Sequence, residues 1–110
     1  MAFYALNLFD LAGNDDYRAY SRRSLDAVTR HEGRIVALGK HADHPAEVGS
    51  ETPRQALVLV EWASRAAFDG FLGDPDLADL HSLRENGTLR YVWWTFERIE
   101  NLRPLLNRSR

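Results

Sequence analysis

Asn7, Glu61 and His81 are the residues of this 110-residue chain best suited to hold or move a proton. Asn7 interrupts the apolar run AFYALNLFD. A buried amide costs free energy unless it is hydrogen-bonded. Asn7 therefore either orients a carbonyl or hydroxyl of a bound molecule or is satisfied by backbone and the neighbouring strand. Glu61 closes the apolar run QALVLVEW beside Trp62. A carboxylate against aromatic walls can have a raised pKa and act as general base or acid; the alternative is an ion pair with Arg34, Arg84 or Arg90. His81 stands near Arg84 in the segment after Asp74-Pro75. An imidazole there can pass a proton near neutral pH, or simply sit half-exposed on a helix. Tyr17, Tyr20, Trp62, Tyr91, Trp93 and Trp94 could wall a cavity for a flat apolar ligand, or fill core and interface as aromatics ordinarily do. His81 and Glu61 are thus the catalytic candidates. Asn7, Tyr20, Trp62, Tyr91 and Trp93 are the substrate-binding candidates, with Tyr20 as the pocket hydroxyl.

The other titratable groups suggest less. His31 closes a helix, where a cation favours the dipole. His41 and His44 share a polar stretch with Asp43, but two histidines do not make a metal site, which needs three or four ligands in fixed geometry; no metal is expected. The sequence has no Gly-x-Gly-x-x-Gly turn, phosphate-binding Gly-Lys-Ser/Thr loop or Gly-x-Ser-x-Gly elbow, so nucleotide and hydrolase readings have no support. There is no cysteine, which excludes disulfides and thiolate chemistry and suits a reducing compartment. Charge is nearly balanced, with 14 basic and 16 acidic residues. No basic face for nucleic acid follows from it. MAFYALNLFDLAG lacks a basic leader and is broken by Asp10, so it reads as a strand and not a signal peptide. No run approaches the ~18 apolar residues of a membrane span. The expectation is one cytoplasmic domain with no membrane or nucleic-acid partner.

Several elements must position these residues. Residues 2–10 are strand-like, bounded by Ala12-Gly13-Asn14. Asn14 or Asp15 can cap a helix in which Tyr17, Tyr20, Ser24, Val28 and His31 recur at three- and four-residue steps, with Gly33 as its stop. Residues 34–41 form a second strand. Ala42 to Pro53, with two prolines and a glycine, reads as a mobile loop. Strand three, Gln55–Trp62, is followed by a helix that Ser64 caps. Asp74-Pro75 opens another helix, to Glu85, since proline at the first helical position loses no hydrogen bond. A fourth strand runs from about Thr88 to Arg98, and Glu100–Leu106 can form a helical turn.

The order β-α-β-β-α-(α)-β is the split-βαβ, ferredoxin-like arrangement. Right-handed crossovers put strands one and three in the centre of a four-stranded antiparallel sheet with helices on one face. Alternation then sets Tyr4, Leu6 and Leu8 against Phe3, Ala5 and Phe9, Val58, Val60 and Trp62 against Leu57 and Leu59, and Tyr91 and Trp93 against Val92, Trp94 and Phe96. Both faces are apolar, but helices cover only one. The uncovered face demands a partner, most simply a second copy packed sheet to sheet over ~1,600 Å² or more.

With these elements in place, the chain resembles the dimeric α+β barrel superfamily over nearly all its length. The resemblance rests on LVEWASRAAFDGFLGDPDLADL, on YRAYSRRSLDAVTRHEGRIVALG and on element order. It is nearest to a small bacterial family of unknown function whose members share a strand ending in Glu-aromatic, then Ser-x-x-Ala-Phe, then an Asp/Ser-Pro step. Antibiotic-biosynthesis-type monooxygenases resemble it more distantly, at Glu61, Trp62, Ser64 and Phe68; they commonly carry a histidine in the following turn, where this chain has Phe71. The superfamily also holds polyketide cyclases, muconolactone isomerases and chlorite dismutase-like haem enzymes. The resemblance implies that residues 1–110 form one dimeric α+β barrel domain. The coincidence of polar groups with aromatic walls in one half of the fold suggests an enzyme without a tightly bound cofactor, of isomerase, cyclase or monooxygenase type, acting on a small aromatic or cyclic carbonyl compound. The alternative is a non-catalytic homodimer that binds a small ligand or acts as an interaction module. A cavity of ~300 Å³ or more lined by Asn7, Tyr20, Glu61 or His81 would separate the two kinds of site from a filled core.

Overall fold

The computed structural model describes residues 2–42, 49 and 52–107. Its elements are β1 (Phe3–Leu11), α1 (Asp16–Arg30), β2 (Gly33–Lys40), β3 (Ala56–Trp62), α2 (Arg65–Gly73), a 3₁₀ turn (Pro75–Leu77), α3 (Ala78–Gly87), β4 (Thr88–Glu97) and the short α4 (Arg103–Leu106). The four strands make one sheet in the order β2-β3-β1-β4, with β1 antiparallel to both its neighbours and β2 antiparallel to β3. This is the ferredoxin-like α+β fold. The expected loop between Ala42 and Pro53 falls largely outside the described residues.

Local chemistry accounts for most element ends. The Asn14 carboxamide oxygen accepts from the Asp16 N–H at 3.0 Å, so Asn14 and not Asp15 supplies the side-chain cap of α1. Ser64 Oγ accepts from the Ala67 N–H at 3.0 Å and starts α2. Asp74 accepts from the Asp76 N–H at 2.9 Å ahead of Pro75. Here the single helix expected from Pro75 is divided. The Leu77 N–H bonds back three residues to the Asp74 carbonyl at 3.0 Å, which tightens the first turn to 3₁₀ and drops Leu77 into the core before α3 begins.

The α1 stop also differs from expectation. Glu32, not Gly33, takes the left-handed conformation after the helix, at φ 66°. Gly33 is already in β2, and its missing side chain serves packing: a Cβ there would lie 2.6 Å from Val28 Cγ1 and 2.8 Å from the Trp62 ring. Gly87 has a similar role. A Cβ on it would meet the backbone nitrogen of Tyr17 at 2.5 Å, so its absence lets the end of α3 lie against the start of α1.

The core lies between the sheet and the helices. Phe3, Ala5, Val60 and Trp62 from the central strands meet Ala27 and Val28 of α1, Phe68 and Phe71 of α2, Leu77, and Leu80 of α3. Trp62 packs at 5.0 Å on Phe71 and 5.6 Å on Phe68. Each such ring, fully buried, contributes roughly 2–3 kcal/mol. The opposite sheet face carries the cross-strand rows Ala37–Leu59–Leu6–Trp94 and Gly39–Leu57–Leu8–Val92, with Glu61, Tyr4 and Phe96 in a third. No helix among the described residues covers these rows, and Trp94 remains 56% exposed. No helix among the described residues is long and apolar enough to cross a membrane.

Candidate functional site

A cavity of about 430 Å³ lies between α1 and the sheet. Its floor is the row Leu38–Val58–Asn7–Trp93 with Ala5, Val60 and Ile35 beside it; its roof is Tyr17, Tyr20, Ser21, Ser24, Leu25 and Val28 of α1. The space has a simple cause. Ser24 stands in the inward stripe of α1 between Tyr20 and Val28, and Ala5, Gly39 and Ala56 stand below. Small residues on both sides leave a gap that close packing would otherwise fill. Leu38, 72% exposed, and Leu25 stand at the mouth.

The cavity brings together Asn7, Tyr20, Trp62, Tyr91 and Trp93. Asn7 is buried, and its amide NH₂ donates to the Val58 carbonyl at 3.0 Å and the Ala5 carbonyl at 3.3 Å. Two carbonyl partners identify the nitrogen, so the Asn7 oxygen faces Tyr91, whose hydroxyl donates to it. The amide is thus satisfied within the sheet. What it presents to the cavity is a fixed Tyr91 oxygen that can still accept. Tyr91 is aimed by its strand: β4 carries an extra residue at Arg90, φ 52°, where the register with β1 shifts. Its ring stacks on Phe9 at 5.2 Å with 5° between planes. Arg90 is tied down by Asp10 at 2.6 Å and the Pro53 carbonyl at 3.0 Å.

Burial pushes the hydroxyls of Tyr17, Tyr20 and Tyr91 up, Tyr17 to about 12, so all three hold their protons at neutral pH. For Tyr20 the Arg84 guanidinium beside it works in the opposite direction. The indole nitrogens of Trp62 and Trp93 are buried without a hydrogen-bond acceptor. Trp93 lies edge-on to Phe68 at 5.4 Å, and Arg84 covers it at 4.6 Å.

The two catalytic candidates lie outside this cavity. Glu61 is the neighbour of Trp62 on β3, and neighbours on a strand point to opposite faces. With Trp62 under the helices, Glu61 projects on the outer face and pairs with Arg34. His81 is on α3, behind Phe71 and Arg84. Its Nε2–H donates to the Phe71 carbonyl at 3.1 Å, which leaves Nδ1 to accept from Arg84 at 2.7 Å. Burial, with Arg84 adding to it, lowers the His81 pKa. Both ring nitrogens are engaged, and the imidazole is held neutral. His31 at the end of α1 bonds Asp74 at 2.8 Å and holds that carboxyl below its usual range, joining α1 to the turn after α2. Of the paired histidines, His44 lies outside the described residues. Among those described, no three His, Asp or Glu side chains converge as a metal site.

One residue not proposed from the sequence as a site residue lies directly behind the cavity wall. Arg84 is buried, and it lies in the inward stripe Leu77, Leu80, Arg84, Gly87. That three- and four-residue spacing was the available signal.

The profile of the family described as Domain of unknown function (DUF1330) matches residues 2–95. The chain belongs to this family. Among solved structures, the DUF1330 chain is similar to a protein of unknown function from Rhodopseudomonas palustris, RPA0582, at 21% identity and TM-score 0.73, over 91% of this chain and 84% of that one. It is similar to SnoaB, a cofactor-independent oxygenase from Streptomyces nogalater, at 15% identity and TM-score 0.64, over 93% and 97%. A dimeric ferredoxin-like protein of unknown function from Jannaschia sp. CCS1 aligns at 12% identity and TM-score 0.64, over 89% and 100%. No curated protein sequence matches the DUF1330 chain significantly. At these identities the structural likenesses establish the shared fold.

Proposed function

We propose that this protein is a cytoplasmic homodimer whose helix–sheet cavity takes one small aromatic or cyclic carbonyl compound. The observation that carries the reading is the cavity itself: about 430 Å³, within the ~300–1,000 Å³ typical of small-molecule sites, apolar on most of its wall, with tyrosine hydroxyls at one end. Asn7, Tyr20, Trp62, Tyr91 and Trp93 would contact the ligand. The bare apolar rows of the outer sheet face and the dimeric ferredoxin-like neighbour support the dimer. The lack of cysteine suits a reducing compartment.

A second reading, cofactor-independent oxygenation or isomerisation in the same cavity, is favoured by the fold shared with SnoaB. Among the described residues no carboxylate or imidazole lines the cavity, so the substrate would have to bring its own acidity, with neutral hydroxyls stabilising the charge that develops. Glu61 and His81 would act, if at all, through Arg34 and Arg84 rather than on the substrate. Thermal shift against aromatic acids, phenols and polyketide-like ketones tests the proposal, since a ligand at a hundred times its Kd adds ~2.7 kcal/mol. Ser24→Phe, which fills the gap, should abolish the shift while leaving the fold intact. A shift of equal size in Ser24→Phe would overturn the reading.

A further inference from the structure

Arg84 is 6% exposed, and a guanidinium does not give up its proton inside a protein. A charge so buried ordinarily has a carboxylate against it. Among the described residues, no ion pair includes Arg84. Its contacts are neutral. It donates to His81 Nδ1, lies 4.6 Å from the Trp93 ring centroid and 5.9 Å from that of Tyr91, and stands beside the Tyr20 hydroxyl. Aromatic faces offset part of the cost of desolvation but leave the charge in place.

Three of those contacts, Tyr20, Tyr91 and Trp93, also line the cavity. A single layer of side chains therefore separates a cation with no ion-pair partner among the described residues from an apolar space. The hydroxyl chemistry has a direction as well. Arg84 offers no acceptor to the Tyr20 hydroxyl beside it, so the Tyr20 proton is free to donate into the cavity. Tyr91 has already given its proton to Asn7, so of the two tyrosines in contact with Arg84, Tyr20 is the donor.

The geometry points to an anionic ligand: the cavity takes a small aromatic or cyclic molecule carrying one negatively charged oxygen, which accepts from Tyr20 with Arg84 behind it. This rests on the cavity being a ligand site, and it names the class of that ligand. A carboxylate and an ionised phenol or enol share the chemistry. Arg84 is a positioning residue here, since it acts through Tyr20.

The test is calorimetric titration at neutral pH with matched pairs: 2-naphthoate against methyl 2-naphthoate for the carboxylate, and 2,4-dinitrophenol against its methyl ether for the ionised hydroxyl. In the wild type the anion of at least one pair should bind about tenfold or more tighter than its neutral partner, the scale of a charge-assisted hydrogen bond. Which pair shows the gap distinguishes carboxylate from phenolate. Arg84→Met should close the gap and leave the neutral partner's affinity nearly unchanged. Should that variant fail to fold, Tyr20→Phe, which removes the donor alone, should narrow the gap. Equal affinity within both pairs in the wild type, with binding lost in Ser24→Phe, would overturn the anion and leave the cavity as the site. Binding that survives Ser24→Phe unchanged, or no binding by any of the four at millimolar concentration, would overturn both. A gap that persists in Arg84→Met and Tyr20→Phe would overturn the role of these two residues.

Discussion

Trp94→Ala should separate the two copies of the proposed homodimer. Trp94 sits in the row Ala37–Leu59–Leu6–Trp94, near the centre of the uncovered sheet face, and is 56% exposed. A tryptophan presents up to ~250 Å², so well over 100 Å² of this one meets water in the isolated chain. Covering that area is worth about 3 kcal/mol per chain at ~25 cal/mol/Å². A two-fold pair counts it twice, about 6 kcal/mol, and the dimer dissociation constant should rise by about ten-thousandfold or more. Because Trp94 lies outside the core, the variant should keep its fold and its circular dichroism. Sedimentation velocity at micromolar concentration should show a wild-type dimer and a Trp94→Ala monomer, with Ser24→Phe, altered on the other face, still dimeric. A wild type that sediments as a monomer would refute the reasoning, because it would mean that two apolar rows across the sheet can face water without a partner.

Three further outcomes follow from the packing. Gly87→Ala should destabilise the fold by about 3 kcal/mol in urea titration, since its Cβ would lie 2.5 Å from the Tyr17 backbone and one helix must move, as overpacking requires. Tyr91→Phe should cost about 1–3 kcal/mol by leaving the buried Asn7 oxygen without its donor; an unchanged urea midpoint would show that the pair is not formed. Stability should also fall as pH drops below neutrality. The His81 pKa is lowered in the folded state, so the unfolded chain takes up the proton first. The stabilisation is therefore complete above the unfolded value of about 6.5 and is lost as pH falls through it toward the folded one. Urea midpoints at pH 7.5 and 5.5 should differ less in His81→Gln than in the wild type, and an equal difference would contradict the neutral, doubly bonded imidazole.

The fold was legible because its signals are periodic. Phe3, Ala5 and Phe9 alternate with Tyr4, Leu6 and Leu8, and Ser64 and Asp74-Pro75 mark helix starts in side-chain chemistry. Parity held one lesson that the chemistry of the carboxylate obscured: Glu61 and Trp62 are consecutive in a strand and cannot both face one cavity. The cavity had a signal too, in Ser24, a small residue inside an inward stripe of large ones. Arg84 was hidden by its type, since arginine reads as surface unless its spacing from Leu77, Leu80 and Gly87 is weighed above its charge. The left-handed turn at Arg90 and the replacement of Gly33 by Glu32 at the end of α1 leave no mark in a single sequence. There the tertiary contacts, Asp10 and Pro53 on Arg90, and Trp62 on Gly33, decide the backbone.

The indole N–H resonances of the protein's three tryptophans offer the most direct measurement. Trp62 and Trp93 line the cavity, while Trp94 points to the other side of the sheet. In a ¹H–¹⁵N correlation spectrum, a bound aromatic anion should move the Trp62 and Trp93 signals together and saturably, and leave Trp94 in place. Ligand-dependent shifts confined to Trp94 would place binding on the outer face and contradict a ligand site between α1 and the sheet.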